Sequence, residues 1–330
     1  MKKILQKTKA VGALALALTL VMSLAGCGKE KGTDIRIGAM KGPTTIGLLQ
    51  LIEEAEAGET ANTYTFTMAT AADELTPLLI KGELDIALVP ANVASVLYNK
   101  TEGGISVIDI NTLGVLYMVS GNGNITSFED LTGQTIYLTG KGTTPDFVLQ
   151  YLLSANGIGL DEVVLDYRSE ATEVAALLAE NPDAIGLLPQ PFVTVACMQN
   201  EKLSICLSMT DEWAKVQGEG GSSMVTGVTV VRNEFLEENP EAVKLFLEDH
   251  ADSTDYVESN LEEVATLCVE AGIIAKEPIA QKAIPFCNIT CMTGEDMKQA
   301  LSGYLEVLYN MNPQSVGGNL PADDFYYLGK

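Results

Sequence analysis

The sequence predicts an α/β protein of two similar lobes with mostly parallel sheets, joined by a two-strand hinge, with a ligand cleft between them. Three features predict this class: a length of 330 residues, an internal repeat of about 100 residues, and two apolar runs that follow the copies. A chain of this length suits two domains of ordinary size. With 47% hydrophobic and 19% charged residues, the composition is that of a globular protein and not of a disordered one.

The internal repeat consists of three pairs of segments in the same order. The pairs are 41–55 with 141–155, 70–79 with 169–178, and 86–90 with 185–189. In the first pair six of fifteen positions are identical, whereas unrelated segments of average composition would share about one. A nearly constant offset of 99 to 100 residues across all three pairs indicates a duplication.

Each copy is predicted to contain three strands, each followed by a helix. The strands are Ile35–Ala39, Tyr64–Met68 and Ile86–Val89 in the first copy, and Thr135–Thr139, Val163–Tyr167 and Ile185–Leu188 in the second. Helices are expected from near Thr45 and Pro145, with Thr70 and Ser169 as N-caps. Right-handed crossovers then bring the loops after the strands to one edge of each sheet, where open α/β folds bind ligands.

Two apolar runs, Leu113–Ser120 and Met224–Val231, are predicted to be the strands that join the lobes. Helices are expected around 234–249, 253–271, 276–284 and 295–310. The predicted divisions are 34–115 for the first part of lobe 1, 116–226 for lobe 2, and 227–330 for the return strand and C-terminal helices, mostly in lobe 1. Two joining strands indicate closure by hinge motion.

The N-terminus has the pattern of a lipoprotein signal peptide over residues 1–26. Four lysines precede the apolar run Val11–Leu24, which is shorter than the ~20 residues that span a bilayer. The segment Leu24–Cys27 resembles the bacterial lipobox, which implies diacylation of Cys27, and residues 27–33 would form the lipidated cysteine and a flexible tether. The alternative is an uncleaved anchor helix. Both interpretations predict an extracytoplasmic protein tethered to the outer face of the bacterial cell membrane.

The charge balance excludes one class of function. Asp and Glu outnumber Lys and Arg by 44 to 20, for a net charge of −24. A protein this acidic is repelled by phosphate backbones, so nucleic-acid binding is not expected.

The cysteines do not indicate a disulfide framework or a metal site. Five remain beside Cys27, an odd number that cannot all pair. Cys287 and Cys291 have a possible metal-ligand spacing, but the single histidine, His250, falls in a helical pattern elsewhere. Neither a metal nor a cofactor is therefore expected, and the cysteines are interpreted as small buried apolar residues.

The repeated Lys-Gly-x-Thr segments are the strongest chemical signal for a ligand site. Helix starts offer free N–H groups and the positive end of the helix dipole, glycine permits close approach, and threonine adds a hydroxyl. The candidate ligand-binding residues are Lys41, Gly42, Pro43, Thr44, Thr45, Thr70, Asn92, Gly140, Lys141, Gly142, Thr143, Thr144, Gln190, Phe192 and Thr226. Equally, the segments can be ordinary capping sequences with solvated lysines. A nucleotide-phosphate loop is excluded because six residues, not four, separate Gly133 from Gly140, and glycine follows Lys141.

An ordered set of segments resembles bacterial solute-binding proteins of ABC importers. The set comprises the lipobox, Ile35–Leu51, Gly82–Ala87, Leu113–Ser120, Ser127–Thr135 and Val230–Pro240. The branch that it most resembles serves sulfonates, taurine, nitrate and thiamine-pyrimidine precursors. The resemblance implies the type II periplasmic-binding-protein fold, a small polar or anionic solute (sulfonate-like or a planar heterocycle), and ABC permease and ATPase subunits as partners of a monomer.

Two other functions remain open, a cleft enzyme and a ligand-sensing lipoprotein without a permease. Catalysis is not expected, because no Cys/His or Ser/His pair is evident near the loops. A bidentate clamp on an anion would have to use one of the three arginines, Arg36, Arg168 or Arg232, of which Arg168 is expected nearest the cleft.

Overall fold

The computed structural model describes residues 32–329. The predicted signal peptide, Cys27 and most of the tether lie outside the described residues. From Asp34 onward the chain forms one compact unit. In the described range, no helix has both the length and the apolar character needed to cross a bilayer.

Eleven strands and twelve α-helices are found in residues 32–329. The strands are β1 (Asp34–Met40), β2 (Thr63–Ala69), β3 (Ile86–Pro90), β4 (Ile105–Leu113), β5 (Leu116–Ser120), β6 (Thr135–Thr139), β7 (Val164–Arg168), β8 (Ile185–Pro189), β9 (Ser204–Ser208), β10 (Val225–Arg232) and β11 (Ile289–Met292). The helices are α1 (Leu49–Ala57), α2 (Ala72–Ile80), α3 (Ala91–Lys100), α4 (Thr144–Ala155), α5 (Ala171–Glu180), α6 (Phe192–Gln199), α7 (Met209–Gln217), α8 (Asn233–Glu238), α9 (Pro240–Ser259), α10 (Leu261–Glu270), α11 (Glu277–Ala283) and α12 (Gly294–Met311). Short 3₁₀ helices span Pro43–Leu48, Phe128–Leu131, Ile284–Phe286, Pro313–Val316 and Asp323–Phe325.

The strands form two sheets, one in each lobe. Lobe 1 contains the order β11-β4-β10-β3-β1-β2, and lobe 2 contains β7-β6-β8-β5-β9. The predicted two-lobed α/β class is therefore confirmed. The duplicated strands occupy equivalent places, because β1 lies between β2 and β3 just as β6 lies between β7 and β8.

Both sheets are mixed, which differs in detail from the expected mostly parallel pairing. The repeated strands pair in parallel with one another. Most antiparallel pairs come from the strands that cross between lobes, since β10 pairs with β3 and β4, and β5 pairs with β8 and β9; β11 adds one more with β4. A strand that enters a lobe from the other lobe has no crossover helix that would make it parallel to its neighbours.

The predicted N-caps of α2 and α5 are wrong by one residue. The N-cap positions are Ala71 and Glu170, and Thr70 and Ser169 precede them. The reason is an acidic residue three positions after each N-cap. Glu74 accepts the Ala71 N–H at 3.0 Å and the Thr70 hydroxyl at 2.5 Å, so a carboxylate takes over the capping that a hydroxyl was expected to perform.

One core cluster extends through both lobes. Trp213 of α7, in lobe 2, is fully buried, and its ring centroid lies 5.4 Å from that of Tyr304 of α12, in lobe 1. The ring centroid of Tyr151 of α4 lies 4.8 Å from that of the indole. The lobes are thus in apolar contact on the face that carries α4, α7 and α12.

Candidate functional site

The carboxyl ends of the repeated strands meet where the two lobes face each other. A recess of about 350 Å³ lies there, with walls from both lobes and from the two segments that connect them. It is lined by Pro90, Ala91, Asn92, Val93, Val115, Leu116, Thr143, Thr144, Pro145, Pro189, Met224, Val225, Thr226 and Tyr304. The N-terminal turns of α3 and α4 both contribute, so amide N–H groups without intrahelical partners are available at its wall.

No charged residue lines this recess. The hydrogen-bonding side chains in its wall are Asn92, three threonines and Tyr304. Burial raises the pKa of the Tyr304 phenol well above its usual value, so the ring presents a neutral hydroxyl. The site offers uncharged donors and acceptors on a largely apolar surface, which is the usual composition of a small-molecule pocket.

Thr44 is buried next to the recess and its hydroxyl has no hydrogen-bond partner. It packs against Gly227, the residue after Thr226. A Cβ added to Gly227 would lie 2.4 Å from Thr44 Cγ2 and 2.4 Å from Asn111 Oδ1. Glycine at 227 therefore allows the connecting strand to approach the loop after β1 closely. Asn111 Oδ1 is also buried without a partner, so unused polar capacity is concentrated here.

The other threonines of the two loops mainly hold the loops themselves. The Thr45 hydroxyl donates to the Met40 carbonyl at 2.5 Å, and the Thr143 hydroxyl donates to the Gly140 carbonyl at 2.5 Å. Gly140 and Gly142 have φ of +76° and +73°, which glycine adopts without strain. Asp146 accepts the Gly142 N–H at 2.7 Å and closes the second loop.

Neither loop lysine belongs to the lining of the recess. The Lys141 ammonium lies 5.2 Å above the ring of Tyr167, and the Lys41 ammonium lies beside Gly272 at the end of α10. Burial and, second, the hydrogen bond to Asp146 raise the pKa of Tyr167 to about 12. Both lysines are exposed, as long cationic side chains usually are.

The arginines are engaged away from the recess. Arg36 and Arg232 bind the buried Asp85 carboxylate. Arg168 pairs with Asp166 at 3.0 Å and lies 5.3 Å above the Tyr137 ring. A bidentate arginine clamp on an anion is thus not formed by the residues that line the recess.

The remaining predicted residues are spread around the recess. Asn92 lines it and donates to the Ser315 carbonyl at 3.3 Å, and Thr226 also lines it. Thr70 is exposed beside Glu74. Gln190 is buried; its Oε1 accepts the Thr194 hydroxyl at 2.9 Å, and its Nε2 has no partner. Phe192 is the first residue of α6 and packs on the core of lobe 2.

A larger groove of about 1010 Å³ lies between the lobes beside β9, and of the predicted site residues only Gln190 lines it. Its walls come from α6 and β9 of lobe 2 and from α11 and residues 285–288 of lobe 1. The Tyr117 hydroxyl bridges the lobes by donating to the Phe286 carbonyl at 2.7 Å. Gln190 belongs to this groove. Its lining comes from segments far apart in the sequence and outside the repeat.

The fold and the interlobe recess define a two-lobed α/β protein of the ligand-binding type. Residues 76–263 match the NMT1/THI5-like family, and the chain belongs to this family. A Brucella abortus (strain 2308) protein, whose name describes it only as a binding protein, is 24% identical over 255 residues, which is 76% of this chain and 74% of the relative. A Brucella suis protein of the same description matches equally.

Solved structures share the fold. An ABC transporter protein from Parabacteroides distasonis superposes with a TM-score of 0.74 at 23% identity, over 89% of this chain and 99% of that one. The periplasmic aliphatic sulphonate binding protein of Escherichia coli gives 0.68 at 14% identity, over 87% and 91%. The type II periplasmic-binding-protein fold implied by the sequence resemblance is therefore confirmed.

Proposed function

We propose that this protein is an extracytoplasmic solute-binding protein that captures a small polar solute between its lobes and delivers it to an ABC permease. The observation that carries the proposal is the recess in which the first turns of α3 and α4, from opposite lobes, face each other across the connecting segments. A ligand held there contacts both lobes and the strands between them, so its binding energy can stabilise the closed arrangement. The volume of about 350 Å³ suits a molecule of metabolite size.

The chemistry of the recess favours a neutral or zwitterionic solute, such as a planar heterocycle, over a sulfonate. The lining has no cation, and the net charge of −24 repels an anion as it approaches. Threonine hydroxyls, an asparagine amide and backbone N–H groups can pair with ring nitrogens and carbonyls. Apolar side chains such as Leu116 and Met224 can cover the faces of a ring.

A thermal-unfolding screen tests the function and the solute class together. The panel pairs pyrimidines, purines and amino acids with alkanesulfonates and nitrate. A solute at 100 times its Kd should stabilise the native protein by ~2.7 kcal/mol, and we expect this from one heterocyclic or zwitterionic class. Stabilisation by sulfonates or nitrate alone would contradict the solute class. If the folded protein responds to no member and carries no small molecule detectable by mass spectrometry, the receptor function itself is contradicted.

We also propose that Cys27 carries a lipid anchor. The anchor would hold the protein at the outer face of the membrane. The basic start, the apolar run and the Leu-Ala-Gly-Cys segment support it. Cells that express the wild type should incorporate labelled palmitate into the protein, and Cys27→Ser should abolish incorporation. Label that persists in the Cys27→Ser variant would contradict the anchor.

We propose that the protein is not an enzyme. Tyr304 is the one titratable side chain among the residues that line the recess, and its buried phenol is a poor general acid or base because its pKa is raised. Mass spectrometry can monitor each solute that stabilises the protein during incubation with it. Chemical conversion of any such solute would contradict this part of the proposal.

A further inference from the structure

Three potential metal ligands from distant parts of the sequence meet inside lobe 1. Asp109 of β4, His250 of α9 and Cys291 of β11 each place a ligand atom within 4.8 Å of the other two. The His250 Nδ1 lies 3.2 Å from Asp109 Oδ2. None of the three lines the interlobe recess. The sequence had placed His250 apart from Cys291, and the fold brings them together.

The carboxylate of this cluster is buried and has few partners. Asp109 and His250 are both fully inaccessible to solvent. Asp109 Oδ1 accepts the Thr229 hydroxyl at 2.8 Å, which fixes the carboxylate and leaves Oδ2 facing the histidine. A buried carboxylate is costly unless a positive group or several donors compensate it. Oδ2 therefore has capacity for a cation.

The second nitrogen of His250 is compatible with coordination through the first. His250 Nε2 is buried without a hydrogen-bond partner, and so is the Thr254 hydroxyl, one turn further along α9. Both lie beside Gly47, since a Cβ added there would be 3.7 Å from Nε2 and 2.9 Å from Thr254 Oγ1. A metal on Nδ1 puts the ring proton on Nε2, on the side where an unused hydroxyl oxygen lies.

Cys291 is the member of the cluster that is not fully buried. It is only partly buried, and the residues that precede it on β11, Ile289 and Thr290, line a cavity of about 460 Å³. The cavity also borders Thr254 of α9. The cavity therefore extends to residues close to Cys291 and His250 in the chain.

We propose that Asp109, His250 and Cys291 bind one divalent transition-metal ion of the zinc type. One thiolate, one imidazole and one carboxylate form a mixed set of sulfur, nitrogen and oxygen donors, which suits Zn²⁺ and Co²⁺ and disfavours Mg²⁺ and Ca²⁺. The ion would join β4, α9 and β11, and a water molecule would complete four-coordination. This site is distinct from the solute site, because none of its three ligands lines the interlobe recess.

Cobalt(II) gives the direct test, because a thiolate ligand produces a sulfur-to-cobalt charge-transfer band in the near ultraviolet. The full-length chain in detergent is freed of metal with a chelator and titrated with Co²⁺ alone. We expect the band, about one Co²⁺ bound per chain by elemental analysis, and displacement by Zn²⁺. Absence of the band in folded wild-type protein would overturn the proposal and leave the cluster as a hydrogen-bond network only.

Matched cysteine variants identify the ligand. Cys291→Ser should abolish the band and weaken Co²⁺ binding by more than about 100-fold. Cys287→Ser is the control, because Cys287 is buried nearby but its thiol donates to the Ala283 carbonyl instead. Thr229→Val, which frees Asp109 Oδ1, should weaken binding by about 10–100-fold while the band remains. A band that persists in Cys291→Ser, or that is lost in folded Cys287→Ser, would assign the thiolate elsewhere and overturn the proposal.

Discussion

The Arg36 guanidinium donates two hydrogen bonds to the buried carboxylate of Asp85, from Nε to Oδ2 at 2.8 Å and from Nη2 to Oδ1 at 2.5 Å. The Arg36 backbone N–H adds a third at 3.0 Å, and Arg232 Nη2 adds a fourth at 3.2 Å. Because Arg36 lies in β1, Asp85 precedes β3 and Arg232 ends β10, one carboxylate ties together three adjacent strands of lobe 1.

The first prediction is that Asp85→Asn destabilises the protein by about 2–3 kcal/mol. The asparagine cannot accept from two guanidinium groups as a carboxylate does, and hydrogen bonds to charged groups are worth about 1.5–3 kcal/mol. Urea unfolding measures the change. Asp166→Asn is the control, because the Asp166–Arg168 pair is partly exposed on both sides and should contribute less than about 1 kcal/mol. Equal losses in the two variants would show that Asp85 does not tie the strands.

The second prediction concerns acid stability. Burial opposes ionisation of Asp85, but the hydrogen bonds from Arg36 and then Arg232 outweigh it, so the pKa of this carboxyl is lowered from 3.8. A lowered carboxyl pKa in the folded state gives stability that is present above the unfolded pKa and is lost as the pH falls through the folded one.

The difference in free energy of unfolding between the wild type and Asp85→Asn should therefore be largest at pH 7. This difference should shrink below about pH 4. Urea titrations of both proteins from pH 7 to about pH 3 measure it. A margin that stays constant over this range would refute a depressed Asp85 pKa.

The third prediction separates two adjacent threonines. Thr44→Val removes a buried hydroxyl that has no partner, so the ligand-free protein should keep or slightly gain stability. Binding of the solute should weaken by about 2–12-fold, the equivalent of one hydrogen bond of about 0.5–1.5 kcal/mol.

Thr45→Val is the matched control for that variant. It removes the donor to the Met40 carbonyl and should cost about 1–3 kcal/mol of stability. Calorimetric titration and urea unfolding of both variants give the comparison. If Thr44→Val is strongly destabilised and binds the solute unchanged, its hydroxyl is structural and does not face the ligand.

The difference between these two threonines illustrates what the sequence could predict. The duplication placed β1 and β6 almost to the residue, as Ile35–Ala39 against Asp34–Met40 and as Thr135–Thr139 in both cases. It also indicated the loops that lead to the recess. It could not show which threonine hydroxyl bonds within its own loop and which stays unpaired. The environment of Thr44 depends on its contact with Gly227 of β10, a strand that is distant in the sequence.

Strand β4 was missed for a related reason. The segment Ile105–Leu113 is buried along nearly its whole length although it contains Asp109, Asn111 and Thr112. Hydropathy treats such residues as loop formers. The partners of the Asp109 carboxylate, Thr229 and His250, are 120 and 141 residues away from it, so the compensation for its burial is visible only after folding. The same gap in the sequence signal hid the cluster with Cys291.

The fourth prediction is that Gly227→Ala impairs both stability and solute binding. The new Cβ would lie 2.4 Å from Thr44 Cγ2 and from Asn111 Oδ1, within a buried strand. Relieving such contacts costs about 1–3 kcal/mol, and the shift of Thr44 should weaken binding. Gly123→Ala is the control, since no atom lies within 4 Å of its added Cβ. An unchanged melting temperature in Gly227→Ala would contradict the close approach of these two segments.

The fifth prediction is that the single tryptophan reports solute binding. Trp213 lies in lobe 2, and its ring is 5.4 Å from Tyr304 of lobe 1, a residue that also lines the recess. A solute that displaces Tyr304 or moves one lobe against the other changes the packing around the indole. Its fluorescence should therefore change with the same Kd that calorimetry gives. A solute of the same chemical class that does not raise the melting temperature is the control and should leave the emission unchanged. Calorimetric binding with constant fluorescence would place the solute elsewhere, and the groove beside β9 would then be the site to test.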